Sequence, residues 1–302
     1  MEYINIAYVI SAICFIMGIK MLSHPKTARR GNSIASMGML IAIVATLYGG
    51  DVLDFKLIAI GVAIGAIIGG IVANKIEMTQ MPQMVAIFNG LGGGASALIA
   101  SAEFYTQYQN NPTTFLLVTI MLSVVIGTLT LTGSFIAFGK LQGFISGKPI
   151  IYPGQQFLNG VMVIALVCLG TMIIQNPIEA NFFYAVLVIA GIIGITLTIP
   201  IGGADMPVVI SLLNSYSGVA AAATGFVLMN NALIISGALV GASGLILTQI
   251  MCKGMNRSLA NVIFGAVGGD TGGSPSGETQ ELNIKSYSTE EAAMIFDAAE
   301  KI

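Results

Sequence analysis

Nine long runs of apolar residues constrain the fold of this chain more than any other feature of its sequence. A helix of about 20 apolar residues spans the hydrocarbon core of a bilayer, and each run is close to that length. The runs cover Tyr3–Leu22, Ser33–Tyr48, Lys56–Ala73, Met81–Ala102, Thr114–Phe138, Phe157–Ile174, Asn181–Pro200, Pro207–Leu228 and Asn231–Cys252. The sequence therefore predicts an all-α membrane protein, a bundle of about nine transmembrane helices.

The overall composition excludes an ordinary soluble domain. Hydrophobic residues make up 55% of the 302 residues and charged residues only 9%, whereas soluble domains are about 25% charged. The net charge of −2 indicates no nucleic-acid partner. Cys14, Cys168 and Cys252 lie singly within apolar runs, so we expect no metal site.

The positions of the basic residues predict how the helices are oriented. Loops of one parity carry Lys20, Lys26, Arg29, Arg30, Lys75, Lys140, Lys148, Lys253 and Arg257, whereas loops of the other parity carry only Lys56. Because cytoplasmic loops are rich in Lys and Arg, the N-terminus is predicted outside and the C-terminus in the cytoplasm. Residues 1–267 are then a transmembrane domain.

Beyond residue 267 the sequence changes character. Residues 268–287 are rich in Gly, Ser and Thr, which predicts a flexible cytoplasmic linker. Residues 288–302 begin with a capping-box pattern and continue with apolar residues at helical spacing, which predicts a short amphipathic helix. One such helix cannot form a domain, so we expect it to lead into a further domain.

Glycines at four-residue spacing predict close contacts between helices. Gly61, Gly65 and Gly69 share one face of the third helix, and Gly237 and Gly241 share one face of the ninth. Small residues at this spacing allow helix backbones to approach each other closely in a membrane. Gly218 in the eighth helix is expected to serve the same purpose.

Polar residues inside the predicted spans are the first functional candidates, because they are unfavourable in lipid. No charged residue or histidine lies near the middle of a span, and the only histidine, His24, is in the first loop. Asn89 and Asn214 lie at similar depth, roughly 10–12 Å from the cytoplasmic face. Ser134 reaches the same layer from the opposite direction. The three side chains line one hydrated path or form hydrogen bonds between helices.

The densest polar stretch runs from Gly202 to Gly218, with the sequence GGADMPVVISLLNSYSG. Asp205 precedes Pro207 at a helix start, where a carboxylate can cap free N–H groups. Ser211 lies three residues before Asn214, on a shared helix face that Gly218 extends. This much polarity in one membrane helix favours a functional role.

Several stretches of the chain resemble the β subunit of proton-translocating nicotinamide nucleotide transhydrogenase. They are HPKTARRGN (residues 24–32), EMTQMPQMVAIFNGLGG (77–93), TGSFIAFGKL (132–141), GGADMPVVISLLNSYSG and GALVGASGLILTQIMCKGMNRS (237–258). They occur in the expected order, and the resemblance covers essentially the whole chain.

The resemblance implies an enzyme complex that transfers hydride between NAD(H) and NADP(H) and couples this reaction to proton movement. It implies that NAD(H) binds to a partner α subunit, which also has membrane helices. NADP(H) would bind to a domain that follows the β membrane helices. It also implies a dimer of αβ units in a bacterial inner membrane rather than a mitochondrial one. The chain has no glycine-rich nucleotide fingerprint, so we expect it to be part of a longer protein and to hold no catalytic or cofactor-binding residue itself.

The resemblance also assigns roles to particular residues. Asn89, Ser134 and Asn214 fall on the proton path of the family, and Asp205 on its junction with the nucleotide domain. Ser211, which shares a helix face with Asn214, is expected to lie on the same proton path. Many members carry a histidine where this chain has Asn89, and an amide does not titrate near neutral pH. We therefore expect the protonatable group to come from a membrane helix of the α subunit.

Two other functions remain open from the sequence alone. A secondary transporter or channel for a small solute would need a broken helix or a charged site near the middle of the membrane. A structural membrane scaffold would account for the glycines but not for the polar stretch around Asn214.

Overall fold

The computed structural model describes residues 2–49, 55–110, 112–176 and 180–264. Within these ranges there is no β-strand, and nine helices are long and apolar enough to cross a membrane, as predicted. They are α1 (Glu2–Leu22), α2 (Pro25–Gly49), α3 (Phe55–Lys75), α4 (Met81–Gln107), α5 (Thr114–Leu141), α6 (Gln155–Gln175), α7 (Ala180–Thr198), α8 (Met206–Val227) and α9 (Asn231–Gly254). A short helix that was not predicted, α10 (Leu259–Phe264), follows α9.

The ends of the helices differ from the apolar runs where polar residues or prolines stand. α2 begins at Pro25 rather than at Ser33, because proline is favourable in the first turn of a helix. The carbonyl oxygen of His24 accepts hydrogen bonds from the amides of Thr27 (3.0 Å) and Ala28 (2.9 Å), which starts the helix there. α7 ends at Thr198 rather than at Pro200, because the residue before a proline disfavours helical geometry.

Two antiparallel helix pairs, α4–α5 and α8–α9, form the centre of the bundle. α8 also packs against α4 and α5, while α7 packs on α5 and α6 packs on α7. The α1–α2 pair is attached through contacts between α1 and α9. α4, α5 and α8 therefore contact one another and form a three-helix core.

Two apolar clusters fill the two ends of this three-helix core. One cluster includes Ala86 of α4, Ala137 of α5 and Val208 of α8. The other includes Ala100 of α4 and Val124 of α5. Asn89, Ser134 and Asn214 lie along these helices between the two clusters.

α3 does not pack as its glycines predict. None of its residues is buried within the described structure. A methyl group added at Gly61, Gly65 or Gly69 would meet no atom within 4 Å among the described residues, apart from its own stretch of helix. The expectation of close helix contacts on this face is therefore not met among the residues that the structure describes.

All described helices belong to one unit, Met1–Val267. The predicted linker at 268–287 and the predicted helix at 288–302 lie outside the described residues. They stay predictions, as does the orientation with the N-terminus outside.

Candidate functional site

A buried hydrogen bond joins α4 and α5 between the two apolar clusters. The side-chain nitrogen of Asn89 donates to the Ser134 hydroxyl at 2.9 Å. Asn89 is 8% exposed and Ser134 is 1% exposed. Two of the residues that the sequence placed in one layer are thus in direct contact.

Ser217 extends this pair to α8. Its hydroxyl lies 2.7 Å from Oδ1 of Asn89 and 2.8 Å from the carbonyl oxygen of Asn214, and both of these oxygens are acceptors. Because a hydroxyl carries one proton, the two acceptors compete for it. Asn89, Ser134 and Ser217 therefore form a polar triad in which hydrogen bonds connect three helices.

Glycines allow the backbones of α4 and α5 to approach closely enough for this contact. A Cβ added at Gly90 would lie 3.0 Å from Cβ of Ser134. One added at Gly93 would lie 2.9 Å from the carbonyl oxygen of Gly127. Since real Cβ atoms are rarely this close to other atoms, side chains at these positions would push Asn89 away from Ser134.

α4 and α8 run parallel and begin in the same way. Each follows a single 3-10 turn and has Pro as its second residue, in Met81-Pro82 and Met206-Pro207. Asn89 is the eighth residue after Met81, and Asn214 is the eighth after Met206. At 1.5 Å per residue, both lie about 12 Å along their helices. The sequence signal is Met-Pro followed by Asn seven residues after the proline. It becomes recognisable once the starts of the two helices are known.

A second polar contact lies deeper along the same three helices. The Ser123 hydroxyl of α5 is 2.6 Å from the hydroxyl of Thr224 and 3.2 Å from the carbonyl oxygen of Ser96. It is also 3.3 Å from the carbonyl oxygen of Ala220. Ser123 is fully buried. These residues have no distinctive sequence signal, because isolated Ser and Thr are common in membrane helices.

The structure does not bring Ser211 to the polar triad. Its hydroxyl lies 3.4 Å from the carbonyl oxygen of Gly244 and accepts from Thr248 at 3.0 Å, both on α9. Ser215, one turn further along α8, also faces α9 and donates to the carbonyl oxygen of Gly241 at 2.6 Å. Ser211 thus belongs to the α8–α9 contact and not to the group around Asn89.

The Asn214 side chain lies between these two faces of α8. It is half-buried, and it makes no side-chain hydrogen bond within the described parts of the chain. Its link to Asn89 runs through Ser217, which bonds to the Asn214 backbone. Because the Asn214 side-chain amide has no hydrogen-bond partner in the described structure, it can still bind a further polar group at this depth.

The three glycines assigned to helix packing lie where α8 and α9 approach most closely. A Cβ added at Gly218 would collide with the backbone nitrogen of Gly241, and one at Gly237 with that of Ala222. A Cβ at Gly241 would lie 3.1 Å from a Val219 methyl group. No residue larger than glycine fits at Gly218 or Gly237 without separating the two helices.

Asp205 does not cap α8 as the sequence predicted. It stands at the N-cap position, but its backbone is already in the αR region (φ −91°, ψ −3°), and its side chain makes no capping hydrogen bond. Its carboxylate instead forms an ion pair with the Arg257 guanidinium. An N-cap side chain reaches the free N–H groups from an extended backbone, which Asp205 lacks.

The turn that ends α9 places Arg257 beside Asp205. Asn256 has a left-handed backbone (φ 53°), which asparagine tolerates better than most residues. The amide of Arg257 then bonds back to the carbonyl oxygen of Cys252 at 2.9 Å. From the sequence, Arg257 was recognised only as a basic residue on the predicted cytoplasmic side.

The described residues hold no metal-binding group. They contain no cluster of three or more His, Cys, Asp or Glu side chains. His24 is exposed in the turn between α1 and α2. The polar triad consists of amide and hydroxyl groups only. These groups can relay hydrogen bonds and orient water, but they do not carry charge near neutral pH.

Comparison with known proteins agrees with the sequence motifs. The family described as NAD(P) transhydrogenase beta subunit matches residues 4–302. Two curated relatives, both NAD(P) transhydrogenase subunit beta from Rhodospirillum rubrum, are each 44% identical over 308 residues. The match covers 98% of this chain but only 65% of each relative's length. This chain belongs to the NAD(P) transhydrogenase β subunit family.

Proposed function

We propose that this chain is the proton-conducting membrane part of a nicotinamide nucleotide transhydrogenase. It would couple proton translocation to hydride transfer between NAD(H) and NADP(H), which bind to other domains of the complex. The observation that carries this proposal is the polar triad of Asn89, Ser134 and Ser217, buried where α4, α5 and α8 meet. Its amide and hydroxyl groups offer proton-relay contacts, and they lie in the three helices that contact one another at the centre of the bundle.

The absence of a titratable group in the triad leads to the second part of the proposal. Asn89 can hold and orient a protonated group or water, but it does not bind the proton itself. The protonatable side chain would come from a membrane helix of the partner α subunit that faces Asn89. The open amide of Asn214 supports this arrangement, because it can bind a polar group of that helix.

Coupling to the nucleotide domains would act through Asp205 on the predicted cytoplasmic face. The redox state of bound NADP(H) would shift the helices around Asn89, Ser134 and Asn214 between two arrangements, each open to one side of the membrane. The Asp205–Arg257 ion pair supports this role, because it connects the start of α8 to the segment that follows α9. We place the complex, a dimer of αβ units, in a bacterial inner membrane.

The test uses vesicles that carry the complete β subunit together with its α partner. Acidification is followed with a pH-sensitive dye after addition of NADPH and an NAD analogue, and hydride transfer is followed by absorbance. We expect proton movement to accompany hydride transfer in the wild type. Ser217→Ala should lower the number of protons moved per hydride, because it removes the hydroxyl that joins α8 to Asn89.

Ser215→Ala is the matched control. It makes the same chemical change two residues away on the same helix, but Ser215 is fully buried and faces α9. It should leave the number of protons per hydride unchanged. Hydride transfer without proton movement in tight wild-type vesicles would refute the proton path.

Two further results would change the assignment. Full coupled pumping without the α membrane helices would contradict the proposed origin of the protonatable group. Uptake of a solute by vesicles that carry only this chain would favour a transporter.

A further inference from the structure

Lys140 is a buried cation that the sequence counted among the loop residues. It lies in the last turn of α5 and is only 4% exposed. Its ammonium group donates to three backbone carbonyl oxygens, those of Ile199 (2.5 Å), Ile201 (2.7 Å) and Lys148 (3.2 Å). Within the described residues no carboxylate forms an ion pair with Lys140.

Burying an ammonium group is unfavourable unless its hydrogen bonds are satisfied. Here all three N–H groups of the ammonium donate to backbone carbonyl oxygens. The lysine therefore holds these three carbonyls close to one another. The position at the C-terminal end of α5 also favours a positive charge. A lysine side chain that rotated freely in solvent would not hold these backbone carbonyls together.

The three carbonyls belong to two connections between helices. Ile199 and Ile201 lie between α7 and α8, in the segment that ends at Asp205, whereas Lys148 lies in the loop between α5 and α6. The two connections also bond to each other directly, because the amide of Gly203 donates to the carbonyl oxygen of Gly147 at 2.8 Å. Lys140 thus anchors the start of α8 to the end of α5.

The same segment is held from the other side by residues that follow α9. Asp205 pairs with Arg257, and Val262 of α10 packs into the apolar cluster that contains Ile201 and Met206. The short stretch from Ile199 to Met206 is therefore attached to α5 at one end and to the α9–α10 region at the other.

α5 carries this attachment directly to the polar triad. Lys140 is six residues after Ser134 on one continuous helix, about 9 Å along its axis. Because a helix is stiff over this distance, a displacement of Lys140 along α5 would also displace Ser134. Ser134 accepts the hydrogen bond of Asn89.

We propose that Lys140 is a positioning residue that transmits movement of the Asp205 segment to Ser134. This inference rests on the function proposed above, in which the nucleotide domain acts at Asp205. The lysine does not conduct protons itself. It makes the α7–α8 connection and α5 move together. A change in the redox state of the nucleotide thereby changes the position of Ser134 in the triad.

The experiment compares Lys140→Met with Lys75→Met in vesicles that contain the complete complex. Lys75 is the matched control, because it too lies in the last turn of a membrane helix, but it is exposed. Lys140→Met should keep hydride transfer in uncoupled vesicles while protons per hydride fall about ten-fold, a size typical of coupling between sites. Lys75→Met should behave like the wild type.

Wild-type vesicles separate the two proposals. If the wild type moves no protons, the proposed function fails. If the wild type pumps and an assembled Lys140→Met complex pumps equally well, the role of Lys140 is wrong and the proposed function stands.

A second measurement leaves Lys140 intact and does not depend on the folding of its variant. Gly202→Cys places a thiol in the attached segment, where a Cβ would be 3.7 Å from its nearest neighbour, an ordinary contact. Maleimide labelling of the peptide around position 202, measured by mass spectrometry, should differ between complexes saturated with NADP⁺ and with NADPH. Equal labelling rates would show that the segment does not respond to the nucleotide and would overturn the proposal.

Discussion

The third helix and the α8–α9 pair carry glycines at the same four-residue spacing but use them differently. In the α8–α9 pair, Gly218 and Gly237 lie where a Cβ would collide with the backbone of the opposite helix. In α3, methyl groups at Gly61, Gly65 and Gly69 would meet open space within the described structure. The spacing therefore indicates that a helix can be approached closely, but not that another helix of the same chain approaches it.

The two regions contribute unequally to the stability of this chain. α8 is the most buried of the membrane spans, whereas α3 has no buried residue in the described structure. Substitutions at glycine should therefore have effects of opposite sign in the two regions. Unfolding of the isolated chain measures these effects.

The largest effect is expected for Gly237→Leu. The new side chain would have to enter the space occupied by Ala222 and the carbonyl oxygen of Gly218, which would be only 2.7 Å from its Cβ. We expect a loss of about 3 kcal/mol or more in the free energy of unfolding, because the backbones must separate. Unfolding by sodium dodecyl sulfate in mixed micelles measures it. Gly65→Leu, the control in α3, should not lower the stability of the chain, and equal losses in both variants would contradict the difference between the two regions.

A smaller loss is expected for Gly244→Ala. Its methyl group would lie 2.9 Å from both Cα and Cβ of Ser215, so α8 and α9 must shift by a few tenths of an ångström. Overpacking of this kind costs about 1–3 kcal/mol. The same micelle titration should show an earlier unfolding midpoint, and a midpoint unchanged from the wild type would mean that the contact is looser than described.

Gly65→Ala should act in the opposite direction. A methyl group at this position meets no neighbour among the described residues, so only the helix propensity changes. Alanine is more favourable than glycine inside a helix by about 0.5–1 kcal/mol. We expect slightly greater stability of the isolated chain, and a destabilised Gly65→Ala chain would reveal a contact of α3 within it.

The smallest effect is expected for Ser215→Ala. The hydroxyl donates to the carbonyl oxygen of Gly241 across the α8–α9 contact. Hydrogen bonds between membrane helices contribute about 0.6 kcal/mol on average, so the loss should be close to that value. A loss larger than that of Gly244→Ala would show that hydrogen bonding, rather than close backbone packing, dominates this pair.

The sequence predicted the nine spans because each has its own continuous apolar signal. It failed where tertiary contacts decide the outcome. The open face of α3 has the same pattern as a packed face, and α10 is too short to give a periodic signal. Asp205 occupied a capping position by sequence, yet its αR backbone leaves the carboxylate free for Arg257.

The candidate site was predictable in part. Asn89 and Ser134 stood out because polar side chains are rare in membrane helices, and their depth follows from counting residues. Ser217 completes the triad rather than Ser211, because the twist of α8 turns Ser211 toward α9. Lys140 could not be recognised, since a lysine at a helix end has the same sequence signal whether it is solvated or buried.

The identical starts of α4 and α8 have a consequence for the bilayer around the protein. Asn89 and Asn214 lie at the same distance from the starts of their helices, which are at the same membrane surface. A thicker or thinner hydrocarbon layer therefore leaves the two residues at a common depth. Ser134 is on an antiparallel helix, but its hydrogen bond to Asn89 ties it to that depth. We therefore expect hydrophobic mismatch to be absorbed at the opposite surface, through tilt or local thinning of the lipid, and not within this polar layer.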